Sequence, residues 1–263
     1  RPNRTRIRHK SGFSNRPGSR LLARSDEWRP MLLAAALQEV QRHGASSLHL
    51  LLGSEQDLAC AAQLGLMRRD GVQFHWQNTG CLDFEGLLGQ LKQDKRKKIR
   101  QERRKVVEAG ISYAEHGNPP YLNREFFSRM AHDMPQHWVL IRAERLGRPI
   151  ACSLLAVQRR GDQGGTAYGR YWGALERHDC LHFETCYYQP LEWCLRNGID
   201  RFEGGAQGEH KMSRALLPVS TGSAHWIAHK GFAQAIEDFL QRERSGVAHY
   251  MDELHERTPL RRS

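Results

Sequence analysis

The segment Ile199–Lys211 (IDRFEGGAQGEHK) constrains the fold of this chain more than any other. Apolar and charged side chains alternate from Ile199 to Glu203, which predicts a short strand. The strand ends at a pair of glycines, and the chain restarts as a helical turn at Glu209. Glycine permits positive φ and lets the backbone approach a ligand closely. The segment therefore predicts either a functional site or a plain glycine turn with a capped helix behind it.

Length and composition limit the class of protein. The 263 residues are enough for one large domain or two ordinary ones, and 39% of them are hydrophobic, which is sufficient for a buried core. No apolar run reaches the roughly 18 residues of a membrane span, and no secretory leader opens the sequence. The six cysteines include no C-x-x-C pair. They therefore predict a reducing, cytoplasmic environment with no metal site and no disulfide framework.

The positive charge points to a partner. The formal net charge of +11 favours an anionic partner such as nucleic acid, a phosphate-bearing cofactor or an acidic lipid surface. A single helix is predicted over residues 84–108, and nine Lys or Arg lie between Lys92 and Lys105 against Asp94 and Glu102. Their mutual repulsion would be relieved by an anion, although such runs are usually solvated helix faces. The predicted anion-binding residues are Lys95, Arg96, Arg100, Arg103 and Arg104.

The order of predicted elements suggests a fold class. From Ile111 onward it is strand, helix, three strands, helix, strand, turn-helix, strand and helix, with a kink expected at Pro190. This order resembles an acyltransferase domain of the GNAT type. We therefore predict an α+β (α/β) fold of tandem GNAT-like domains, in which helices flank a mixed β-sheet. The expected divisions are a basic arm at 1–20, a partial N-terminal domain at 21–109 that ends in the basic helix, and a C-terminal domain at 110–263.

Several short motifs occur in a particular order along the chain. They are FHW at 74–76, KRK at 95–97 with the basic residues up to Arg104, YGRYWG at 168–173, HFE at 182–184, CYYQ at 186–189, GAQGEHK at 205–211 and SAHWI at 223–227. Together they resemble one family, the FemAB-like proteins of the GNAT superfamily, which are associated with peptidoglycan biosynthesis or recognition. The resemblance spans about Gly18 to Leu260. It implies two GNAT-like domains and transfer of an amino acid from aminoacyl-tRNA to an amine of a cell-wall precursor.

The sequence departs from the family pattern in three places. The first GNAT-like copy is truncated, so residues are expected to be missing before Arg1. An aromatic-rich helix is missing between Gly117 and Pro120, and Cys81 and Pro190 replace a tyrosine and a helix-compatible residue. In addition, the glycine-rich R-x-x-G-x-G loop that holds coenzyme A is absent, and residues 176–182 stand in its place. This last point counts against the usual geometry of coenzyme A binding.

The resemblance also places the chemistry. In a GNAT fold the third strand and the strand after it splay apart, here Tyr168–Trp172 and Ile199–Glu203, and a backbone amide of the third strand stabilises the oxyanion. Acyl transfer to an amine further needs a base and an electrophilic group. The predicted catalytic residues are Glu203, His210, Glu209 and Tyr171. The predicted substrate- or donor-binding residues are Tyr168, Arg170, His182, Glu184, Gln207, Lys211 and Arg214.

Structural roles are the alternative for several of these residues. Glu184 would pair with an arginine, His182 would cap a helix and Tyr171 would lie in the core. The predicted function is transfer of an acyl or aminoacyl group to an amine by direct attack in a ternary complex. The alternative is a non-catalytic GNAT-like protein that binds a cell-wall precursor or nucleic acid. No cofactor is certain. The expected donor is acyl-CoA or aminoacyl-tRNA, and the expected acceptor is an amine of a small molecule or of a cell-wall precursor. tRNA is a candidate partner.

Overall fold

The computed structural model describes residues 18–116, 124–161, 164–205 and 208–261. Most of the basic arm, the segment from Gly117 to Pro120 and the candidate Gln207 lie outside these ranges. In chain order, the helices and strands are α1 (Arg29–Arg42), β1 (Ser47–Leu50), α2 (Glu55–Gln63), β2 (Met67–Gln77), α3 (Phe84–Gln90), α4 (Gln93–Glu108), β3 (Ile111–His116), α5 (Arg124–Asp133), β4 (Trp138–Arg145), β5 (Arg148–Arg159), β6 (Gly165–Ala174), α6 (Leu181–Phe183), α7 (Gln189–Arg196), β7 (Arg201–Glu203), β8 (Leu217–Ile227) and α8 (Lys230–Glu256).

A mixed sheet of eight strands has the order β1-β8-β2-β7-β6-β5-β4-β3. Strands β6 and β7 pair in parallel, whereas β1–β8, β2–β7, β3–β4, β4–β5 and β5–β6 pair antiparallel. The predicted element order from Ile111 onward is confirmed, because β3, α5, β4, β5, β6, the α6–α7 helix, β7, a 3-10 turn, β8 and α8 follow one another in that order.

The chain divides into two compact units. Unit 1 is Arg1–Gln73 with Pro218–Arg257, and unit 2 is Phe74–Leu217 with Thr258–Ser263. These units do not coincide with the division of the sequence at residues 109 and 110. Strand β8 and helix α8 come last in the sequence, yet nearly all their residues belong to unit 1.

Unit 1 is organised around a small apolar core. Leu33 of α1, Leu50 of β1, Leu58 of α2 and Ala224 of β8 pack together in it. Helix α2 begins at a capping box. The Ser54 side chain accepts a hydrogen bond from the backbone N–H of Asp57, and the Asp57 side chain accepts one from the backbone N–H of Ser54.

The prediction of one helix over residues 84–108 is wrong. The structure has two helices there, α3 and α4, separated by Leu91 and Lys92. Leu91 is extended and bridges Leu260, and the backbone N–H of Lys92 donates to the Pro259 carbonyl at 2.8 Å. A contact with the distant C-terminal segment therefore interrupts the helix, and the helical periodicity of the local sequence cannot reveal it.

The kink expected at Pro190 takes the form of a widened turn. Residues Glu184–Tyr188 form a π-helical turn, and Pro190 lies in the first turn of α7 directly after it. Proline has no N–H and its ring collides with the carbonyl four residues earlier in a regular α-helix. The π turn shifts that carbonyl away, and such turns are frequent at functional sites.

Candidate active site

Strands β6 and β7 separate after a short parallel pairing. The paired residues are Thr166 with Arg201, Ala167 with Phe202 and Tyr168 with Glu203, after which β7 ends while β6 continues to Ala174. The chain beyond Glu203 follows β2 instead, because the Gly204 N–H donates to the Phe74 carbonyl at 3.0 Å. Residues 169–174 of β6 therefore continue beyond the end of β7.

A β-bulge lies in the diverging part of β6. Leu154 of β5 faces Tyr171, whereas the next residue, Leu155, faces Gly169, so that Arg170 is the inserted residue. Bulges re-aim side chains and are frequent beside active sites.

The glycines of the turn have packing roles. A Cβ on Gly204 would lie 2.4 Å from Leu216 Cδ2 and 3.2 Å from the Phe74 carbonyl oxygen. Gly208 has φ of 99°, and a Cβ there would lie 2.3 Å from the ring of His210. Gly204 thus lets the chain run close to β2, and Gly208 lets the His210 ring fold back over the turn.

A group of rings, which we call the histidine–aromatic cluster, lies beyond the separation. It consists of Trp172 at the end of β6, His182, Phe183 and Tyr187 of the helix after it, and His210 of the 3-10 turn Glu209–Arg214. The Trp172 and His182 ring centroids are 5.2 Å apart, and those of His182 and Tyr187 are 5.7 Å apart. The Tyr187 hydroxyl lies 3.3 Å from His210 Nε2. The cluster therefore joins three segments at one point.

The cluster holds neutral imidazoles. Partial burial of the His210 ring lowers its pKa, and the positive charges of Arg214 and Lys211 lower it further. Burial, then His210 and Arg214, lower the pKa of His182 in the same direction. Burial raises the pKa of Tyr187 to about 12, so its hydroxyl stays protonated and can donate to His210. Because His210 is also exposed, it can take a proton from a bound substrate at neutral pH.

A buried ion pair holds the turn that carries His210. Arg214 Nη2 donates to both carboxylate oxygens of Glu102 at 2.9 Å, and the Tyr188 hydroxyl donates to the same carboxylate. Arg214 Nη1 donates to the His210 carbonyl at 2.6 Å, and its guanidinium lies 3.5 Å above the Phe183 ring. Arg214 therefore holds the backbone of His210 in place.

Two further polar residues of the turn are buried. Glu203 is 5% exposed and forms an ion pair with Arg201, whose Nη2 lies 3.1 Å from Glu203 Oε1. Lys211 Nζ donates to the Gly205 carbonyl at 3.2 Å, and burial lowers its pKa to about 8. Both side chains are thus engaged within the protein.

The basic helix α4 is partly neutralised by the protein itself. Arg103 Nε lies 3.1 Å from Glu184 Oε1, and Arg103 Nη2 lies 2.7 Å from Glu192 Oε2. Burial raises the pKa of Glu184, and Arg103 opposes that shift. At the surface, Arg100 pairs with Glu85 at 2.6 Å. Lys95 pairs with its neighbour Asp94 at 2.8 Å, whereas Arg104 is exposed and Arg96 is half-buried.

A family model described as FemAB-like, peptidoglycan biosynthesis/recognition, matches residues 7–118 and again residues 111–262. The chain belongs to the FemAB-like family. The double match confirms the predicted fold class of tandem GNAT-like domains with a mixed sheet. The two matches overlap over residues 111–118, and the division at residues 109 and 110 stays a prediction.

Three solved structures share the fold of this FemAB-like chain. The structure of L-PGS from Bacillus licheniformis is 10% identical, with 81% of this chain and 79% of that chain covered and a TM-score of 0.56. The C-terminal domain of a putative lysylphosphatidylglycerol synthetase from Agrobacterium fabrum is 10% identical, with 80% and 76% covered and a TM-score of 0.55. FemX is 11% identical, with 81% and 80% covered and a TM-score of 0.52. A search of curated proteins found no match.

The structure brings some predicted site residues of this FemAB-like protein together and leaves others apart. His182, His210 and Arg214 meet at the histidine–aromatic cluster. Tyr168 and Tyr171 lie elsewhere on β6, since the Tyr168 hydroxyl donates to Gln158 at 3.1 Å and the Tyr171 ring packs on Phe127 at 6.2 Å. Glu209 is exposed at the start of the turn, and the roles assigned to all these residues stay predictions.

Five residues of this site are not among the predicted site residues. They are Trp172, which contacts His182, and Glu102, Phe183, Tyr187 and Tyr188, which contact His210 or Arg214. Phe183 and Tyr187 lie four residues apart, which is also the spacing of a core-facing helix stripe. Only the proximity of Tyr187 to His210 distinguishes a role of these two residues in the site from a role in the core.

Within residues 18–116, 124–161, 164–205 and 208–261, no group of three or more His, Cys, Asp or Glu is placed to hold a metal ion. In the same part of the chain, no helix is both long enough and apolar enough to cross a bilayer.

Proposed function

We propose that this FemAB-like protein is an N-acyltransferase that transfers an acyl or aminoacyl group to an amine by direct attack in a ternary complex. One observation carries the proposal: β6 leaves β7 after Tyr168 and Glu203, beside a cluster that holds a neutral, exposed histidine. Beyond Tyr168, β6 continues past the end of β7, and this is where we place the acyl group, with His210 as the proton acceptor.

The reaction follows from these positions. The acceptor amine attacks the donor carbonyl, and a backbone N–H within residues 169–173 of β6 stabilises the oxyanion. The amine proton passes to His210 Nε2, directly or through the Tyr187 oxygen as Tyr187 gives its own proton to His210. The C–N bond forms, the bond from the carbonyl carbon to the donor oxygen or sulfur breaks, and His210 returns the proton to the leaving group.

The donor is better matched by aminoacyl-tRNA than by acyl-CoA. The residues after β6 contain no R-x-x-G-x-G loop for a pyrophosphate. The two buried cations of the turn are already engaged, Arg214 with Glu102 and Lys211 with the Gly205 carbonyl. The exposed basic residues of α4 remain for an extended anion such as tRNA. The family description supports a cell-wall precursor as the source of the acceptor amine.

The reaction is assigned to the cytoplasm. All six cysteines are free, which supports a reducing compartment. Aminoacyl-tRNA is also made there.

A second candidate function is binding of a cell-wall precursor or nucleic acid without chemistry. It is supported by the same engagement of Arg214 and Lys211, since both act within the protein. In this case the histidine–aromatic cluster would be a packed core that admits no acyl group.

Transfer assays on the full chain separate the two. The protein is incubated with either aminoacyl-tRNA or acyl-CoA donors and an amine acceptor, and the product is measured by mass spectrometry. His210→Asn keeps a polar, uncharged side chain but removes the base, and we expect transfer to fall by about 100-fold or more. His249→Asn on α8 is the matched control with an exposed histidine and should leave transfer unchanged. Donor binding without transfer would favour the second candidate, and neither binding nor transfer with both donor classes would overturn the proposal.

A further inference from the structure

Exposed apolar side chains gather at one end of unit 2. Leu146 at the β4–β5 turn is 89% exposed, Leu175 after β6 is 85% exposed and Val107 near the end of α4 is 70% exposed. A single exposed leucine needs no explanation, but a group of exposed apolar residues marks an interaction site.

Hydrogen bonds and an ion pair hold the three segments together. Arg145 Nε donates to the Ala109 carbonyl at 3.1 Å, which ties the β4–β5 turn to the end of α4. Arg145 Nη1 lies 3.8 Å from Glu176 Oε2, and the Leu175 N–H donates to the Ile150 carbonyl at 2.6 Å. Leu146, Leu175 and Val107 therefore project from one connected surface, which we call the apolar patch.

Leu146 occupies a position that local folding energetics disfavour. It has φ of 50° and Gly147 has φ of 72°, so both central residues of the two-residue hairpin turn are left-handed. Such turns strongly prefer Asn, Asp or Gly at the first position, because a bulky side chain there is strained. An exposed leucine at this position gains nothing from burial in this chain. Its apolar side chain is therefore explained by a partner.

Basic side chains surround the patch. Five basic residues outnumber the three acidic ones there, which are Glu108, Glu176 and Asp179. Lys105 pairs with Asp179 at 3.7 Å. On α4 the positions 97, 100, 104 and 107 share one face, so a basic stripe leads directly to Val107. The five basic residues at the rim are Arg104, Lys105, Arg145, Arg148 and Arg177, all exposed.

We propose that the apolar patch binds the surface of an anionic lipid bilayer. Leucines exposed on turns can enter the interface between headgroups and acyl chains, while arginines and lysines around them attract anionic headgroups. The basic rim would also attract RNA, but binding of RNA would not explain why Leu146 and Leu175 are apolar and exposed. The binding would place the end of β6, and with it the histidine–aromatic cluster, close to substrates held in the membrane. It does not depend on the proposed acyl transfer.

Vesicle binding by the full chain tests the proposal, with flotation measured on neutral phosphatidylcholine vesicles and on vesicles with about one third phosphatidylglycerol. Leu146→Asn is the decisive variant, because Asn suits the left-handed turn but not a bilayer. We expect its melting temperature to rise while its partitioning onto anionic vesicles falls about tenfold. Leu175→Ser should lower partitioning similarly. Leu82→Ser, at a 91% exposed leucine outside the patch, is the matched control and should change nothing.

The charge of the rim is tested separately. Arg148→Gln with Arg177→Gln should weaken binding to anionic vesicles about 25-fold, at about fivefold per lost charge, and should do so more at low salt. Arg242→Gln on α8 is the control. The proposal is overturned if wild-type protein does not float with anionic vesicles. It is equally overturned if Leu146→Asn and Leu175→Ser bind vesicles as the wild type does, which would leave a charged surface of the kind that RNA also binds.

Discussion

Glu102 of the basic helix α4 and Arg214 at the end of the 3-10 turn form a buried ion pair, with Arg214 Nη2 2.9 Å from both carboxylate oxygens. The Arg214 side chain is 1% exposed. Glu102→Gln would leave this guanidinium charged and buried, which should lower the free energy of unfolding by about 3–5 kcal/mol. Denaturant unfolding measures the change.

The surface pair Arg100–Glu85 provides the control for this prediction. Both side chains are exposed, so Glu85→Gln should cost less than about 1 kcal/mol. Equal effects of the two substitutions would show that Glu102 does not compensate Arg214.

Gly204 should tolerate no side chain. A Cβ there would lie 2.4 Å from Cδ2 of the fully buried Leu216, so Gly204→Ala should destabilise unit 2 by about 1–3 kcal/mol through overpacking. Gly89 of α3 has nothing within 4 Å of an added Cβ. Gly89→Ala should therefore stabilise the protein by about 0.5–1 kcal/mol. Opposite signs in the two unfolding curves are the expected result, and a neutral Gly204→Ala would contradict it.

His75 should make stability depend on pH. Burial, then Arg201 and Lys211, lower its pKa to about 3. The unfolded chain binds a proton near the ordinary value of about 6.5. Stability from this group is therefore fully present above pH 6.5 and is lost as the pH falls from 6.5 towards 3. At pH 5 the loss should be about 2 kcal/mol.

His75→Gln checks the assignment, because a glutamine does not titrate and its amide oxygen can still accept from Arg201. Denaturant unfolding at pH 7.5 and pH 5 should show a smaller loss for this variant than for the wild type. His249→Gln on the surface of α8 should behave like the wild type. An unchanged pH dependence in His75→Gln would assign the acid sensitivity to other groups.

The end of β7 at Glu203 could be predicted from the sequence, whereas the composition of the site could not. Alternation of apolar and polar residues and the glycines at 204 and 205 define where the strand ends. The pairing of Glu102 with Arg214 joins residues 112 positions apart, and no local pattern encodes it. The break at Leu91 has the same origin, since the C-terminal segment imposes it.

The basic helix shows why charge in a sequence is ambiguous. Arg103 has the same sequence context as its neighbours, yet it lies against Glu184 and Glu192. Arg104, one residue later, is exposed. Helical geometry predicts that the two differ in direction, but only the packing of α4 decides which of them turns inward.

The exposed residues of α4 should bind RNA if tRNA is the donor. Arg100→Gln combined with Arg104→Gln should then weaken RNA binding, and each lost contact should flatten the slope of log affinity against log salt by somewhat under one unit. The melting temperature should hardly change, because Arg100 forms only a surface pair. Unchanged RNA affinity and slope across a salt series would remove these residues from the donor site.

The most direct test of acyl transfer at the divergence of β6 and β7 is a structure of the full chain with a non-hydrolysable donor analogue. The acyl carbonyl oxygen should lie within hydrogen-bond distance of a backbone N–H between Gly169 and Gly173. His210 Nε2 or the Tyr187 hydroxyl should lie within reach of the position of the attacking amine. An analogue bound elsewhere, with Trp172 and His182 still packed as they are now, would contradict the account.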